Sequence, residues 1–293
     1  MPHTLKNNNL QVSIDLPEEN YQFSRFDWTG KITKVSYKGK VITGNELIDP
    51  SKDVNKGSGL YNEFGIDKPI GFDTIEHKDW FHKIGIGLLQ KNTSSYLFHH
   101  PYHIQSGNFE NENTDRSIKI TCISPLFNGY AYCLEKDILL LEDGFIIHYH
   151  LENRGHKAII TSEYNHNFLA INNDPIGINY KLKFNFNLNK TAFNEVVNPN
   201  EVAVINSKSI TFKDVPKSDI FFSNINAGKN VAAKWYLENK TQGVGISETG
   251  NFKTSKINIW GCGHVISPEL FIDINLQPKQ SMKWSRHYSV YDV

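Results

Sequence analysis

The sequence predicts an all-β protein that folds as a large antiparallel β-sandwich. Short runs in which apolar and polar residues alternate recur about every ten residues along the 293-residue chain. Turn-forming pairs such as Thr29-Gly30 and Lys38-Gly39 separate these runs. No segment carries apolar residues at helical spacing over three turns, so packed helices are not expected.

The predicted strands begin as a β-meander, and a long connection then interrupts them. The first four strands cover residues 10–14, 21–26, 32–37 and 40–42. Residues 50–80 form a glycine-rich connection with polar and aromatic side chains, which is typical of a functional loop. Later strands are predicted at 85–89, 95–99, 117–123, 130–140, 145–151, 158–164, 180–187, 201–205, 209–213, 231–237, 243–247, 256–260, 269–275 and 281–290. Without a fixed-period repeat or a break in composition, we interpret residues 1–293 as one domain.

Composition narrows the classes of partner. The 31 basic and 31 acidic residues balance, and they are scattered along the chain. This argues against nucleic acid or an anionic membrane surface as the partner and favours a small neutral molecule. The N-terminal residues lack the apolar stretch of a secretory signal, and no run approaches a membrane span, so we expect a soluble cytoplasmic monomer or homodimer. The cysteines, Cys122, Cys133 and Cys262, fit neither a disulfide framework nor a zinc site.

His166 is the first candidate for a catalytic residue. Its segment follows the predicted strand 145–151 and a polar turn, so we expect the next strand of an antiparallel hairpin. A period of two places Tyr164 and Phe168 on the same face as His166. If that face is buried, the imidazole loses water and its pKa can move to a value useful for catalysis. The alternative is a core histidine that hydrogen-bonds a neighbouring strand.

Two further charged residues have both a functional and a structural interpretation. Lys83 stands beside Gly85 and Gly87, which could direct its ammonium group into a cleft, or it is a solvated lysine at a strand end. Glu269 follows Pro268, which fixes the backbone where the next strand opens, and lies near Trp260 in sequence. The alternative for Glu269 is an exposed residue at the start of a strand.

The adjacent histidines His99 and His100 do not indicate a metal site. Neighbouring residues on a strand point to opposite faces, and no nearby carboxylate or cysteine completes a set of ligands. Aromatic rings together with amides, a lysine and carboxylates instead suit a neutral polyhydroxylated ligand. Rings can stack on the apolar faces of a sugar while polar groups bind its hydroxyls.

Several short segments, which include His166 and Glu269, make the sequence similar to the galactose mutarotase-like superfamily, which includes the aldose 1-epimerases. The resemblance is carried by Ser24-Arg25-Phe26-Asp27-Trp28 through residue 32, Asn62-Glu63-Phe64-Gly65, Glu163-Tyr164-Asn165-His166-Asn167-Phe168, Ser267-Pro268-Glu269 and Trp284-Ser285-Arg286-His287-Tyr288. It implies a large sandwich with an open sugar cleft and no cofactor. It also implies that His166 is a general acid and Glu269 a general base, which open the sugar ring and reclose it as the other anomer.

The sequence also departs from the family pattern. Mutarotases hold the sugar with an arginine followed by a histidine, and the nearest match here is Lys83 with His99 or His100. The segment Ser267-Pro268-Glu269 replaces a Glu-Thr-Gln context, which favours a divergent branch. We predict three compensating sugar ligands, Arg25, Glu63 and Trp260. The alternative function is a non-catalytic carbohydrate-binding or regulatory protein that uses the same cleft, while a polysaccharide-lyase-like domain is disfavoured because it usually needs a longer chain.

Overall fold

The computed structural model describes residues 3–293, and almost all of its regular structure is β-strand. The strands are His3–Lys6 (β1), Leu10–Asp15 (β2), Lys31–Tyr37 (β3), Lys40–Val41 (β4), Leu60–Phe64 (β5), Trp80–Lys83 (β6), Gly87–Gln90 (β7), Ile104–Ser106 (β8), Asn108–Asn113 (β9), Ser117–Ile123 (β10), Tyr132–Leu140 (β11), Gly144–Asn153 (β12), Ile159–Asn167 (β13), Tyr180–Phe184 (β14), Glu195–Val197 (β15), Ala203–Ile205 (β16), Ser209–Phe212 (β17), Ile220–Ser223 (β18), Lys234–Asn239 (β19), Val244–Gly250 (β20), Ile257–Cys262 (β21), Val265–Leu270 (β22), Ile272–Leu276 (β23) and Ser281–Asp292 (β24). Short 3-10 helices occupy Pro50–Lys52, Phe72–Thr74, Ile171–Asn173, Lys190–Ala192 and Pro199–Glu201. Within residues 3–293, no helix has the length and apolarity needed to cross a bilayer.

Two large antiparallel sheets form the body of the fold. One has the strand order β1-β2-β3-β5-β13-β23, with β4 paired to β3, and the other has the order β16-β17-β14-β19-β20-β24-β12-β11-β10-β9. A continuous apolar cluster between them combines side chains such as Val35 and Phe64 of the first sheet with Ile147, Trp284 and Tyr288 of the second. This arrangement confirms the prediction of an antiparallel β-sandwich.

Two smaller sheets and a second apolar cluster cover the other face of the seven-stranded sheet. The smaller sheets have the orders β15-β18-β21-β22 and β6-β7-β8. The second cluster is largely aromatic and includes Phe26, Tyr61, Phe81 and Phe168. An isolated bridge between Leu169 and Ile266 joins the chain just after β13 to β22. These contacts build a walled site on the outer face of β13.

The predicted hairpin that carries His166 is wrong. Strand β12 pairs with β11 and β24 in the ten-stranded sheet, whereas β13 pairs with β5 and β23 in the seven-stranded sheet. The polar turn after β12 therefore takes the chain across the sandwich from one sheet to the other. Alternation of apolar residues predicts each strand and its buried face, but it does not specify the pairing partner.

Two predicted strands are absent from the structure. Residues 21–26 and 95–99 pair with no neighbouring strand. Their alternation has another cause, because Tyr21 and Phe26 belong to the second aromatic cluster and Tyr96 packs against it. The residues form the wall and rim of the site as irregular segments.

Residues 50–80 were predicted to be a connection without strands, but they contain the central strand β5. Strand β5 lies between β3 and β13, and all of its residues are buried. Because both faces of β5 are covered, its sequence lacks the alternation of polar and apolar residues that marks a half-exposed strand. The single strand predicted at residues 269–275 is also wrong, because this segment is divided between the end of β22 and most of β23. Glu269 therefore lies inside β22 and does not begin a strand.

Candidate active site

A cavity of about 600 Å³ opens on the outer face of β13. The neighbouring strands β21 and β22 and the loops before β5 and β8 form its walls. Its lining is rich in charged and aromatic side chains and comprises Arg25, Glu46, Lys56, Ile66, Asp67, Phe98, His99, Tyr164, His166, Glu195, Asp219, Phe221, Ser223, Lys256, Asn258, Trp260, Glu269 and Phe271.

His166 and Glu269 meet within this cavity. Nε2 of His166 lies 3.4 Å from Oε1 of Glu269, and both side chains are almost completely buried. The two residues come from β13 and β22, which the bridge between Leu169 and Ile266 holds side by side. Two residues that are 103 positions apart in sequence are thus held within reach of one small molecule.

The surroundings of His166 are aromatic. Phe168 stacks on the imidazole with ring centroids 4.0 Å apart, and Phe26 and Trp260 approach it edge-on. Tyr164 also lies beside it, so the predicted common face of Tyr164, His166 and Phe168 is confirmed. Burial, reinforced by the charge of Arg25, lowers the pKa of His166 well below its usual value. The imidazole is therefore neutral near pH 7.

The pKa of Glu269 shifts in the opposite direction to that of His166, and burial is again the cause. Burial raises the pKa of its carboxyl group to about 8, although Arg25 and the Ser267 hydroxyl oppose the shift. The Ser267 hydroxyl lies 3.3 Å from Oε1 of Glu269. Near neutral pH the His166–Glu269 pair thus holds one proton, and burial favours its residence on the carboxyl group.

Arg25 is fixed beside the pair by a buried carboxylate. Its Nε donates to Glu63 at 3.0 Å, and its guanidinium lies between the rings of Phe26 and Phe98. Tyr164 donates its hydroxyl to the same Glu63 carboxylate at 2.7 Å. These contacts leave the guanidinium little freedom, so its charge acts at a defined place on the cavity wall.

Lys83 lies behind Arg25 and not on the cavity wall. Its Nζ donates to Glu63 at 3.3 Å and to the Tyr96 hydroxyl at 2.8 Å. The side chain is 1% exposed, so the interpretation as a solvated lysine is wrong. Burial lowers the pKa of Lys83, while the neighbouring Glu63 opposes that shift. Lys83 and Glu63 together form a buried support for Arg25.

The predicted site residues therefore divide into two groups. Arg25, His99 and Trp260 line the cavity with the His166–Glu269 pair, whereas Glu63, Lys83 and His100 lie outside its lining. His99 and His100 stand on a turn, and the backbone carbonyl of His100 accepts a hydrogen bond from Ser24 at 2.7 Å. Across residues 3–293, no group of three or more His, Cys, Asp or Glu side chains is arranged to hold a metal ion.

Several lining residues were not predicted from the sequence. Asn258 could have been predicted, because it lies two positions before Trp260 on β21 and therefore points to the same face of that strand. Glu46 and Lys56 come from the loop before β5, and Glu195 and Asp219 come from around the β15–β18 pair. These residues reach the cavity through tertiary packing, which no local pattern in the sequence reports.

The cationic side chains of the cavity are all neutralised. Arg25 lies near Glu46 as well as Glu63, and Lys56 lies 3.5 Å from Glu46. Lys256 pairs with Asp67 at 3.1 Å. The cavity therefore presents hydrogen-bonding groups without an unpaired positive charge.

Comparison with solved structures identifies this architecture. A galactose mutarotase related enzyme from Lactobacillus acidophilus matches with a TM-score of 0.61 and 11% identity over 100% of this chain and 98% of that chain. A galactose mutarotase-like protein from Clostridium acetobutylicum matches with a TM-score of 0.59 and 10% identity over 99% and 95%. The chain has the galactose mutarotase-like fold. A galactose 1-epimerase from Lactobacillus acidophilus NCFM also matches, with a TM-score of 0.58 and 14% identity over 99% and 94% of the two chains.

The likeness to mutarotase-like proteins lies in the structure. No protein-family profile matches the sequence, and no curated protein sequence matches it. The resemblance seen in the short sequence segments is confirmed at the level of the fold, and the low identities agree with a divergent branch. Activity has to be argued from the site itself, because one fold supports many functions.

Proposed function

We propose that the protein is an aldose 1-epimerase-like isomerase that interconverts the α and β anomers of a sugar. The observation that carries this proposal is the 3.4 Å contact between His166 and Glu269 in a walled cavity. Anomer exchange needs one group that gives a proton and one that takes a proton at neighbouring oxygens of the same ring carbon. A buried pair that shares one proton meets this need.

The reaction proceeds through the open-chain sugar. In the ring-opening step, the base takes the proton of the anomeric hydroxyl, the C1–O1 bond becomes a carbonyl, and the C1–O5 bond breaks. The acid gives its proton to O5. Rotation about C1–C2 exposes the other face of the carbonyl, and closure reverses the two proton transfers to give the other anomer.

The pKa directions bear on which residue starts as the acid. The family resemblance implies that His166 donates and Glu269 accepts in the opening step. Burial instead favours a neutral imidazole and a protonated carboxyl group, so that Glu269 would donate to O5 and His166 would accept from O1. After opening, the pair is an imidazolium and a carboxylate. This is the protonation state that closure requires, because His166 then returns a proton to O1 and Glu269 takes one from O5. Both forms of the singly protonated pair therefore take part in one turnover.

The sugar is proposed to be uncharged. A phosphate group needs free cations or exposed backbone N–H groups, whereas Arg25 is already held by the buried Glu63, and Lys56 and Lys256 each have a carboxylate beside them that would repel a phosphate. Glu195 and Asp219 add negative charge to the lining. Trp260 offers a ring on which the apolar face of a sugar can stack.

The decisive experiment is NMR saturation transfer between anomers on hexoses, pentoses and hexose 6-phosphates. The wild type is expected to accelerate exchange of at least one neutral sugar and to leave the phosphorylated sugars at the spontaneous rate. Glu269→Gln and His166→Ala should each lose about 10² to 10⁴ in turnover, which is what a positioned acid or base contributes.

Two results would overturn the proposal in different ways. Full activity in His166→Ala would remove the acid–base pair as its basis. Saturable binding of a sugar without acceleration by the wild type would favour the non-catalytic carbohydrate-binding protein. Circular dichroism and thermal unfolding of each variant serve as the folding control.

A further inference from the structure

A second cavity of about 560 Å³ adjoins the active-site cavity. The two cavities share Asp67, Lys256 and Phe271 in their linings. They therefore meet at these three residues, which form the junction of one cleft. Together they offer more room than a monosaccharide of about twelve heavy atoms fills, since a pocket for a drug-sized molecule is about 300 to 1,000 Å³.

The junction consists of an aromatic ring under an ion pair. Nζ of Lys256 lies 3.1 Å from Oδ2 of Asp67 and 4.2 Å from the centre of the Phe271 ring. The Phe271 ring in turn stacks on Tyr164, with centroids 4.4 Å apart. The ion pair is partly exposed, and such pairs contribute little to stability, so their groups can exchange partners with sugar hydroxyls.

Strand β13 connects the two parts of the cleft along one face. Ser162, Tyr164 and His166 alternate on its outer face, and Ser162 lines the second cavity. Ser162 lies four positions before His166 in the sequence, a distance of about 13 Å along an extended strand. The second cavity therefore lies along the strand from the acid–base pair, beyond the ring that would react.

The second cavity is lined by groups that hydrogen-bond hydroxyls. Asn194, Asn224 and Asn275 supply amides, Ser162 supplies a hydroxyl, and Asp273 supplies a carboxylate. Asp273 stands opposite Ser162 in the β13–β23 pairing, so the floor of this cavity is the continuous outer face of the same sheet. Amides, hydroxyls and a carboxylate at a shallow, exposed site suit the pattern of donors and acceptors of a second sugar ring.

We infer that the substrate is the reducing end of an oligosaccharide, with its terminal ring beside His166 and Glu269 and the next ring in the second cavity. This inference rests on the proposed function. An oligosaccharide has one free anomeric hydroxyl, at its reducing end, so only that ring can undergo exchange. The rest of the chain must leave the active-site cavity, and the junction at Lys256 provides the way out.

The test compares disaccharides with the monosaccharides of their reducing ends. Maltose, cellobiose, lactose, galactobiose, mannobiose and xylobiose are assayed against glucose, galactose, mannose and xylose by NMR saturation transfer. For the preferred sugar, kcat/KM is expected to be about tenfold or more higher for the disaccharide, because binding energy from the second ring supports the reaction at the first. In Asn275→Leu this ratio should fall about 3- to 10-fold, as for one lost hydrogen bond.

A matched control is Asn111→Leu, another exposed asparagine on a strand, which lies on β9 outside both cavities. Its disaccharide-to-monosaccharide ratio should equal that of the wild type. A wild-type ratio near one, or a ratio that Asn275→Leu leaves unchanged, overturns the inference while leaving the epimerase proposal intact.

If no sugar is turned over, the proposed function fails. A binding experiment then decides whether the second cavity holds a second sugar ring. Titration calorimetry with the same sugars should give a lower Kd for a disaccharide than for its monosaccharide, and this difference should shrink in Asn275→Leu but not in Asn111→Leu. Equal affinities for the two classes of sugar would overturn the second binding site as well.

Discussion

At the scale of single residues, one physical cause acts on the His166–Glu269 pair in opposite directions. Burial disfavours whichever form is charged, so it lowers the pKa of the imidazole and raises the pKa of the carboxyl group to about 8. The usual order of the two pKa values is thereby inverted. A singly protonated pair can then persist over a wide range of pH, which is the state that both steps of anomer exchange require.

The first prediction concerns the pH dependence of this pair. Above its pKa of about 8, Glu269 loses its proton and the pair becomes doubly deprotonated, so kcat/KM should fall on the alkaline side near that pH. No fall is expected around pH 6.5, because the pKa of His166 lies well below its usual value. Initial rates from pH 5 to 10, corrected for spontaneous mutarotation, measure this profile. A loss of activity centred near pH 6.5 would contradict the inverted order.

The residues of the candidate site differ in how far the sequence could predict them. Tyr164, His166 and Phe168 follow from a period of two, because that period is a local property of any strand. The contact between His166 and Glu269 could not be derived in this way and was implied only by the family resemblance. The place of Lys83 could not be predicted, because its ammonium group is neither solvated nor in the cavity but pairs with the buried Glu63, a contact that no local pattern reports.

At the scale of secondary structure, β13 has a different task on each face. Tyr164 and His166 face the cavity, whereas Glu163, Asn165 and Asn167 face the ten-stranded sheet. Nδ2 of Asn167 donates to the backbone carbonyl of Pro268 at 2.6 Å. Pro268 precedes Glu269, so this bond fixes the backbone that carries the carboxyl group relative to the backbone that carries His166.

The second prediction is that Asn167 acts as a positioning residue. Asn167→Ala removes the bond to the carbonyl of Pro268 and should lower kcat about 10- to 100-fold, since a displacement near 1 Å can cost that much, while KM changes little. The control is Asn165→Ala, which removes a buried bond to the Tyr288 hydroxyl from the same face of β13. Both variants should lose stability, by about 1–3 kcal/mol in urea unfolding. Equal losses of kcat in the two variants would mean that Asn167 has only a structural role.

The strands show why the fold class could be predicted and the pairing could not. The prediction for β10 at residues 117–123 agrees with the structure to the residue, because that strand alternates strictly between buried and half-buried positions. Strand β5 was missed because both of its faces are buried. Pairing is set by contacts between distant segments, so the partners of β13 could not be read from the turn that precedes it.

At the scale of the whole molecule, a buried charge cluster joins the two large sheets. Arg286 of β24 donates to both oxygens of Glu163 on β13, at 3.1 and 2.7 Å, and also to Glu248 on β20. Glu248 accepts a further bond from Asn167 at 3.0 Å. Burial raises the pKa of Glu248, which Arg286 opposes. The cluster thus links the centre of the sandwich to Asn167, whose amide also bonds the backbone carbonyl next to Glu269.

The third prediction tests what this cluster contributes to stability. Arg286→Met leaves Glu163 and Glu248 buried without their cation, and the free energy of unfolding should fall by about 3–5 kcal/mol. Arg154 pairs with Glu152 on the surface, so the control Arg154→Met should change stability by less than about 1 kcal/mol. Urea unfolding monitored by tryptophan fluorescence measures both variants.

The origin of that loss can be separated by neutralising the whole cluster. In the triple variant Glu163→Gln/Glu248→Gln/Arg286→Met, no buried charge remains unpaired, so a substantial part of the stability lost in Arg286→Met should return. Recovery would mean that Arg286 is needed chiefly because two carboxylates are buried beside it. If the triple variant is no more stable than Arg286→Met, the specific hydrogen bonds of the arginine, including the one to the carbonyl of Leu270 at 2.8 Å, would account for the loss.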